Sequence, residues 1–258
     1  MTVCAVSVLR NEDSDLLCRE QPFVDVEDFM TLHVGMIGTD GFVIASDTLR
    51  VNMSPGTRNN PQRSSVGKLS CKDGLAWACS GFNPHAEFGD ELLKETTPAK
   101  EYSKAFLEDF AKCFFRSRHV ENQNQEILFG NAGDPLRLWQ VKAYTDRQRF
   151  PTAEEIRDHA TNEQPVCAHF IPNLFHNSED GWSVDELVFL AALTIWYGER
   201  ESSGTIGGLQ LVTCIGGQLT EMDPRSISSL RSRCAEFHER VGQEMRHVSG
   251  RANSMEGQ

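Results

Sequence analysis

Three residues in the first third of the chain have side chains that could act together on a substrate. Thr31 carries a hydroxyl, Asp47 a carboxylate and Lys68 an ammonium group, and each stands at the end of a predicted strand. A threonine hydroxyl becomes an effective nucleophile only when a base takes its proton. Taken singly, the three have ordinary interpretations as a strand threonine, a turn cap and a solvated strand end. Their combined spacing is what indicates nucleophilic chemistry.

Two predicted hairpins would bring these side chains together. Each has an Asp-Gly turn between apolar stretches, which is a strong hairpin signal. The stretches are Thr31–Val34 and Gly41–Ala45 in the first hairpin, and Lys68–Cys71 and Leu75–Cys79 in the second. Because a hairpin folds its second strand back beside its first, Asp47 and Lys68 can both lie near Thr31.

The rest of the chain predicts a layered α+β domain. Ser183-Val184-Asp185-Glu186 has the form of a helix capping box, and Asp223-Pro224 favours the start of a last helix. The polar stretch 51–67 favours a loop, and residues 146–182 carry no decisive pattern. The other predicted elements are helices over 83–94 and from 97 onwards, the second with an apolar face of Tyr102, Phe106, Phe110 and Phe114, and strands over 126–130, 137–145 and 209–215. Helices grouped between antiparallel strands favour α+β over βαβ organisation.

The segment from Thr31 to Asp47, Thr-Leu-His-Val-Gly-Met-Ile-Gly-Thr-Asp-Gly-Phe-Val-Ile-Ala-Ser-Asp, resembles the opening of a proteasome β subunit or of the bacterial protease subunit HslV. Further matches are Gly67-Lys68-Leu69, Asp73-Gly74, Ser80-Gly81, Val184-Asp185-Glu186, Ser202-Ser203-Gly204 and Leu209–Thr213. The resemblance covers most of residues 31–217. It implies the four-layer α-β-β-α sandwich of N-terminal nucleophile hydrolases.

The resemblance also implies a role for each matched residue. Thr31, once it is the first residue of the mature chain, would be the nucleophile, and its own α-amino group would be the base. Lys68 would depress the pKa of that amine, Asp47 would hold Lys68 in place, and the backbone N–H of Gly81 would face the oxyanion.

Five more residues are candidates, most of them with an alternative interpretation. Ser203 and Glu201 would support the amine, or would form a solvated helix end, and Glu199 could take the place of Glu201. Arg50 and Cys79 would line the pocket for the substrate side chain, although Cys79 could equally be a core thiol.

The activity that these roles imply is that of a threonine-type peptidase acting on peptides or unfolded proteins. The family works in closed rings, so we expect a homo-oligomer, with an ATP-driven unfoldase as a further partner. No metal or organic cofactor is implied. Two alternatives stay open: an inactive structural ring subunit of the same fold, and an amidase that acts on a small molecule.

The chain departs from the family at its N-terminal side. Residue 30 is Met, where self-processing precursors usually have Gly, and the interval from Asp47 to Lys68 is longer than usual. We therefore interpret residues 1–30 as a propeptide or as a mis-assigned extension. Residues 31–248 are the predicted domain, and 249–258 a flexible polar tail.

Composition excludes several other functions. The formal net charge is −12, and no dense Lys/Arg cluster suggests a nucleic-acid-binding face. No apolar run approaches the roughly 18 residues of a membrane span. The eight cysteines contain no C-x-x-C pair, which argues against a zinc ribbon, and their scatter favours a reducing compartment. We expect a cytoplasmic protein.

Overall fold

In the computed structural model, the two hairpins at the start of the domain and the helix–strand–helix order at its end follow the prediction. The structure describes residues 31–52, 62–80, 107, 125–133, 135–143, 152–161, 170–172, 181–202 and 204–255. Its strands are β1 (His33–Ile37), β2 (Gly41–Ser46), β3 (Leu49–Asn52), β4 (Gln62–Ser65), β5 (Leu69–Lys72), β6 (Leu75–Ser80), β7 (Gln125–Asn131), β8 (Arg137–Ala143), β9 (Thr152–Ile156), β10 (His159–Thr161), β11 (Gln210–Ile215) and β12 (Gln218–Glu221). The helices are α1 (Val184–Glu201) and α2 (Pro224–Met255).

The first sheet carries the hairpin that begins beside Thr31. Its strand order is β10-β1-β2-β11-β12, and every neighbouring pair is antiparallel. Side chains alternate along β1, so Leu32, Val34 and Met36 enter one core, which they share with α1 and α2. The intervening Gly35 lies against Leu128 of the second sheet.

The second sheet, with the order β5-β6-β7-β8-β9, packs face to face on the first. A second core between the sheets joins Phe42, Ile44 and Val212 to residues such as Ala76 and Leu128. The sheets approach so closely at Gly130 that a Cβ there would overlap the Phe42 ring. This packing sets β5 beside the first sheet at the end where Thr31 lies.

Within the described residues, the molecule has three layers: the two helices, the first sheet and the second sheet. Trp77, Phe129 and Trp139, which alternate with residues of the inter-sheet core, are also buried, so the second sheet is covered on its outer face too. The predicted mixture of helices and antiparallel sheets is confirmed. The fourth layer of the predicted sandwich falls on the helices expected over 83–114, which lie outside the described residues except for Leu107, a fully buried helical residue.

Two regions differ from the sequence prediction. The prediction of a loop over 51–67 is wrong for residues 51–52, which end β3, and for Gln62–Ser65, which pair with Leu49–Asn52 as a two-stranded sheet. Residues 63–65 of this strand are exposed and polar, so only the pairing with β3, and no pattern of their own, makes them a strand. The unassigned region 146–182 contains β9 and β10, which complete the edges of the second and first sheets.

Both described helices begin where the sequence signals place them. Ser183 and Glu186 form the complete capping box at the start of α1. Asp223 accepts hydrogen bonds from the backbone N–H groups of Arg225 and Ser226 at the start of α2, which remains helical to Met255. Among the described residues, no helix is both long and apolar enough to cross a membrane.

Candidate active site

Asp47 is built into the first sheet at the end of β2. Its carboxylate accepts hydrogen bonds from the backbone N–H of Leu32 at 3.0 Å and of Leu49 at 3.1 Å. Its own N–H donates to the carbonyl of Leu32 at 2.9 Å. The side chain is fully buried. Because Leu32 follows Thr31 directly, these bonds fix the carboxylate next to the predicted nucleophile.

Lys68 joins the carboxylate to the hydroxyl. Its Nζ lies 3.0 Å from both carboxylate oxygens of Asp47 and donates to Thr31 Oγ1 at 3.2 Å. These are the distances expected for direct hydrogen bonds. The Lys68 side chain is 9% exposed, and Thr31 is itself buried. The structure therefore brings together Thr31, Asp47 and Lys68, which lie far apart along the chain.

Burial and charge oppose each other in this pair. Burial raises the pKa of Asp47 above its ordinary value, while the Lys68 ammonium and the two backbone N–H donors act in the opposite direction. Burial likewise lowers the pKa of Lys68, and Asp47 opposes that change. Each group therefore depends on the other to stay charged inside the protein.

His33 is a component of the site that the sequence did not single out. It lies two residues after Thr31 on the same side of β1 and is fully buried. Burial, together with the positive charges of Lys68 and Lys142, lowers the pKa of His33 to about 3. The imidazole is therefore neutral at physiological pH. Only its burial, which a sequence does not reveal, distinguishes it from an ordinary strand histidine.

The Gln210 side chain is a second component that the sequence did not indicate. It accepts hydrogen bonds from the backbone N–H groups of Lys68 and Leu69, both at 3.1 Å. A polar residue at the start of the otherwise mostly apolar strand β11 was the one available signal.

The other predicted site residues are spread over several elements. Arg50 lies in β3, and its positive charge contributes to lowering the pKa of Lys68, which puts that charge near the site. Cys79 is buried in β6, opposite Ile127 of β7. Gly81 and Ser203 lie outside the described residues. Pocket and oxyanion roles for these residues stay predictions.

The two acidic candidates at the end of α1, Glu199 and Glu201, have different environments. Glu201 is exposed. Glu199 forms an ion pair with Arg231 of α2 at 2.8 Å, which leaves it about one-third exposed. Ser202 Oγ accepts from the backbone N–H of Ile206 at 3.0 Å and so closes the turn after α1. Which acid supports the amine stays a prediction.

The geometry has a definite chemical capability. An ammonium that donates to a hydroxyl oxygen favours its reactive, deprotonated form, and a buried carboxylate keeps that ammonium charged. Within the described part of the chain, no group of three or more His, Cys, Asp or Glu residues is arranged to hold a metal ion.

Comparisons with known proteins match the fold but not a named sequence family. No protein-family model matches the chain, and no curated protein matches it. Among solved structures, Anbu (ancestral beta-subunit) from Yersinia bercovieri superposes with a TM-score of 0.61 at 12% identity, over 82% of this chain and 97% of the other. Anbu from Hyphomicrobium sp. strain MC1 gives 0.59 at 13%, over 82% and 97%. A Gly-1 mutant of that protein gives 0.58 at 14%, over 84% and 100%.

These matches correct the sequence-based assignment. The prediction that the chain is a member of the proteasome β-subunit and HslV family is wrong, since the structures it matches are Anbu proteins, a separate proteasome-like branch. Hairpin turns and core patterns specify a fold, and related branches have that fold in common. At 12–14% identity the likeness establishes this chain's fold and nothing finer.

Proposed function

We propose that this chain is an N-terminal nucleophile hydrolase that cuts peptide bonds with Thr31. The observation that carries the proposal is the position of Lys68 Nζ, which contacts both Asp47 carboxylate oxygens and the Thr31 hydroxyl oxygen. A solvated lysine at the end of a strand would have no reason to be buried between these two groups.

The reaction begins when the α-amino group of Thr31 takes the proton from its Oγ. That oxygen attacks the carbonyl carbon of the peptide bond, and the proton passes to the departing amine as the C–N bond breaks. The result is an ester between Thr31 and the acyl part of the substrate. Water then attacks the ester with the amine again as base, which releases a carboxylic acid and restores the hydroxyl.

Lys68 and Asp47 make this amine an effective base. A free α-amino group has a pKa of roughly 7.7–8.0, and a nearby positive charge lowers it, so more of the amine is neutral at physiological pH. Asp47 keeps Lys68 charged and in place. The hydrogen bond from Lys68 to Thr31 Oγ1 also stabilises negative charge on the attacking oxygen.

The mechanism requires that Thr31 be the first residue, because an amide nitrogen is no base at neutral pH. We propose two routes to this state. In one, Thr31 itself attacks the bond after Met30; in the other, translation starts at Met30 and ordinary methionine removal exposes Thr31. Both routes yield a chain that begins Thr-Leu-His-Val.

We further propose a peptide or unfolded-protein substrate and assembly of the chain into a homo-oligomeric ring. The name of the matched structures, ancestral beta-subunit, favours assembly. A free Thr31 in a ring supports the peptidase, whereas a free Thr31 in a dimer supports a small-molecule amidase. An intact segment before Thr31 supports an inactive scaffold.

The test combines N-terminal sequencing of protein from its native host with turnover of a fluorogenic peptide. We expect Thr31 at the N-terminus, no turnover by Thr31→Ala, and a loss nearly as large for Lys68→Ala. Lys72→Ala is the matched control, because Lys72 is an exposed lysine on the same strand region. Unchanged turnover by Thr31→Ala, or a mature chain in which Thr31 is internal, would rule out the enzyme.

A further inference from the structure

We infer that Gln210 is a positioning residue for Lys68 and that catalysis depends on its side-chain amide. This inference deepens the proposed function and rests on it. Gln210 Oε1 accepts from the backbone N–H groups of Lys68 and Leu69, both at 3.1 Å, and its Nε2 donates to the Leu69 carbonyl at 2.6 Å.

These bonds replace a missing strand. β5 is at the edge of the second sheet, with β6 as its neighbour on one side. The N–H and C=O of one residue in an antiparallel strand point to the same side, and those of Leu69 point to Gln210 rather than to β6. The side-chain amide therefore pairs with the strand edge much as a backbone peptide would, and it does so from the other sheet.

The orientation of the amide is itself fixed. Gln210 Nε2 also donates to Glu221 Oε1 of the neighbouring strand β12 at 3.0 Å. The two acceptors hold the NH2 group on one side, so the carbonyl oxygen faces the two backbone donors. If the amide flipped, its NH2 group would face the backbone N–H groups of Lys68 and Leu69, and no hydrogen bond could form there.

The hydrogen bonds from the Gln210 side chain to Lys68 and Leu69 form a clamp on the start of β5. The location of Gln210 links this clamp to the reactive groups. Gln210 lies directly opposite Ser46 of β2, the residue before Asp47, and His33 of β1 lies opposite the same serine on the other side. Lys68 is thus held at both ends by adjacent positions of one sheet. Asp47 binds its Nζ, and Gln210 binds its main chain.

Loss of the clamp would act on chemistry more than on substrate affinity. Without the amide, the main chain at Lys68 can drift away from the first sheet, and a displacement of about 1 Å at a reacting group can cost on the order of 100-fold in rate. A more distant ammonium would also depress the pKa of the Thr31 amine less. The acidic limb of the pH profile of kcat/KM would then move to higher pH.

The test uses the mature protein and replaces the amide with an apolar group of similar shape. We expect Gln210→Met to lower kcat at least about 10-fold, with KM changed less than about threefold, and to raise the acidic limb by about one pH unit. Gln218→Met is the matched control, since Gln218 is an exposed glutamine on the adjacent strand β12. It should leave both parameters and the pH profile unchanged.

A donor–acceptor swap separates positioning from general packing. Gln210→Glu keeps an acceptor for both N–H groups but sets its carboxylate against that of Glu221, so kcat should fall. Adding Glu221→Gln supplies a donor to the new carboxylate, and the double variant should recover at least about threefold in kcat over Gln210→Glu alone.

Two results would overturn the inference. One is a Gln210→Met enzyme with kcat within twofold of the parent and an unshifted pH profile. The other is an equal kcat for Gln210→Glu and for the double variant Gln210→Glu/Glu221→Gln. This second result decides the question if Gln210→Met does not fold. Failure of the proposed function is seen separately, as turnover that survives Thr31→Ala. In that case a crystal structure of Gln210→Met tests whether Gln210 positions Lys68. We expect Lys68 Nζ to lie beyond hydrogen-bond distance of Thr31 Oγ1, and an unchanged distance would refute the positioning role.

Discussion

Replacement of Asp47 by Asn should destabilise the fold far more than the loss of one surface charge would. The substitution keeps the size of the side chain but removes the anion that faces Lys68. It also introduces an NH2 group where the carboxylate accepts from Lys68 Nζ and from the N–H groups of Leu32 and Leu49. The variant therefore leaves the Lys68 ammonium buried without a counter-charge. It also sets the new amide NH2 against N–H groups that can only donate.

The size of the effect follows from distance and burial. At 3.0 Å and an effective dielectric constant of about 20, two unit charges attract by about 5.5 kcal/mol. Removing one partner of a buried pair typically costs about 3–5 kcal/mol. The Asp47 side chain is fully buried and that of Lys68 nearly so, and we therefore expect Asp47→Asn to lower the free energy of unfolding by about 3–5 kcal/mol at pH 7.

The pH dependence has a definite sign. Asp47 opposes the lowering of the Lys68 pKa, so its removal lowers that pKa further. Between the folded and unfolded pKa values of Lys68, the unfolded chain holds a proton that the folded chain does not. The free energy of unfolding of the variant should therefore rise with pH over that interval, and the deficit against the parent should shrink toward pH 10.

Urea unfolding at pH 7 and pH 9.5 measures both effects. Glu199→Gln is the control, because it breaks the shorter Arg231–Glu199 contact of 2.8 Å, in which both side chains are about one-third exposed. We expect a cost below about 1 kcal/mol there. Equal costs for the two variants would mean that burial does not set the strength of the pair.

The companion variant Lys68→Met completes a double-mutant cycle. The double variant leaves neither charge buried alone, and we expect it to be at least about 2 kcal/mol more stable than the sum of the two single effects predicts. Additivity within about 0.5 kcal/mol would refute the reasoning, since the two side chains would then not depend on each other.

Three further substitutions probe a buried residue of the site, the packing of the two sheets and the helix cap. His33 is neutral in the fold, with its pKa lowered to about 3 from an ordinary 6.5, so stability is lost as pH falls through this window. The loss is about 2 kcal/mol between pH 8 and pH 5, and urea curves should show it disappearing in His33→Leu. Gly130→Ala should cost about 1–3 kcal/mol by overlap with the buried Phe42 ring, whereas at the exposed Gly133 a Cβ would come no nearer than 3.2 Å to the Asn131 side chain, so Gly133→Ala should cost less; equal losses would argue against close packing of the sheets at Gly130. Ser183→Ala should lower the free energy of unfolding by about 1 kcal/mol through loss of the capping box, and an unchanged melting curve would mean that the cap contributes nothing.

Sequence signals that involve only a few neighbouring residues predicted hairpins and helix starts correctly. The Asp-Gly turns predicted both hairpins, the capping box predicted the start of α1, and Asp223-Pro224 predicted the start of α2. The first hairpin places Asp47 beside Thr31 by chain geometry, whereas Lys68, which precedes β5 of the second sheet, reaches them only when the two sheets pack. The proteasome β-subunit and HslV assignment went too far, since these same signals specify a fold and not one branch of it.

The sequence by itself therefore determined the two hairpins, the starts of both described helices and the three residue types that can perform nucleophilic chemistry. Only the tertiary structure decided how the two sheets meet. Gln210 Oε1 reaches the backbone N–H of Lys68 across 142 positions of chain, and His33 is neutral because it is fully buried and lies near the positive charges of Lys68 and Lys142. Turns and caps are formed by neighbours in sequence, whereas a clamp between sheets and a buried, neutral imidazole exist only after the sheets have packed.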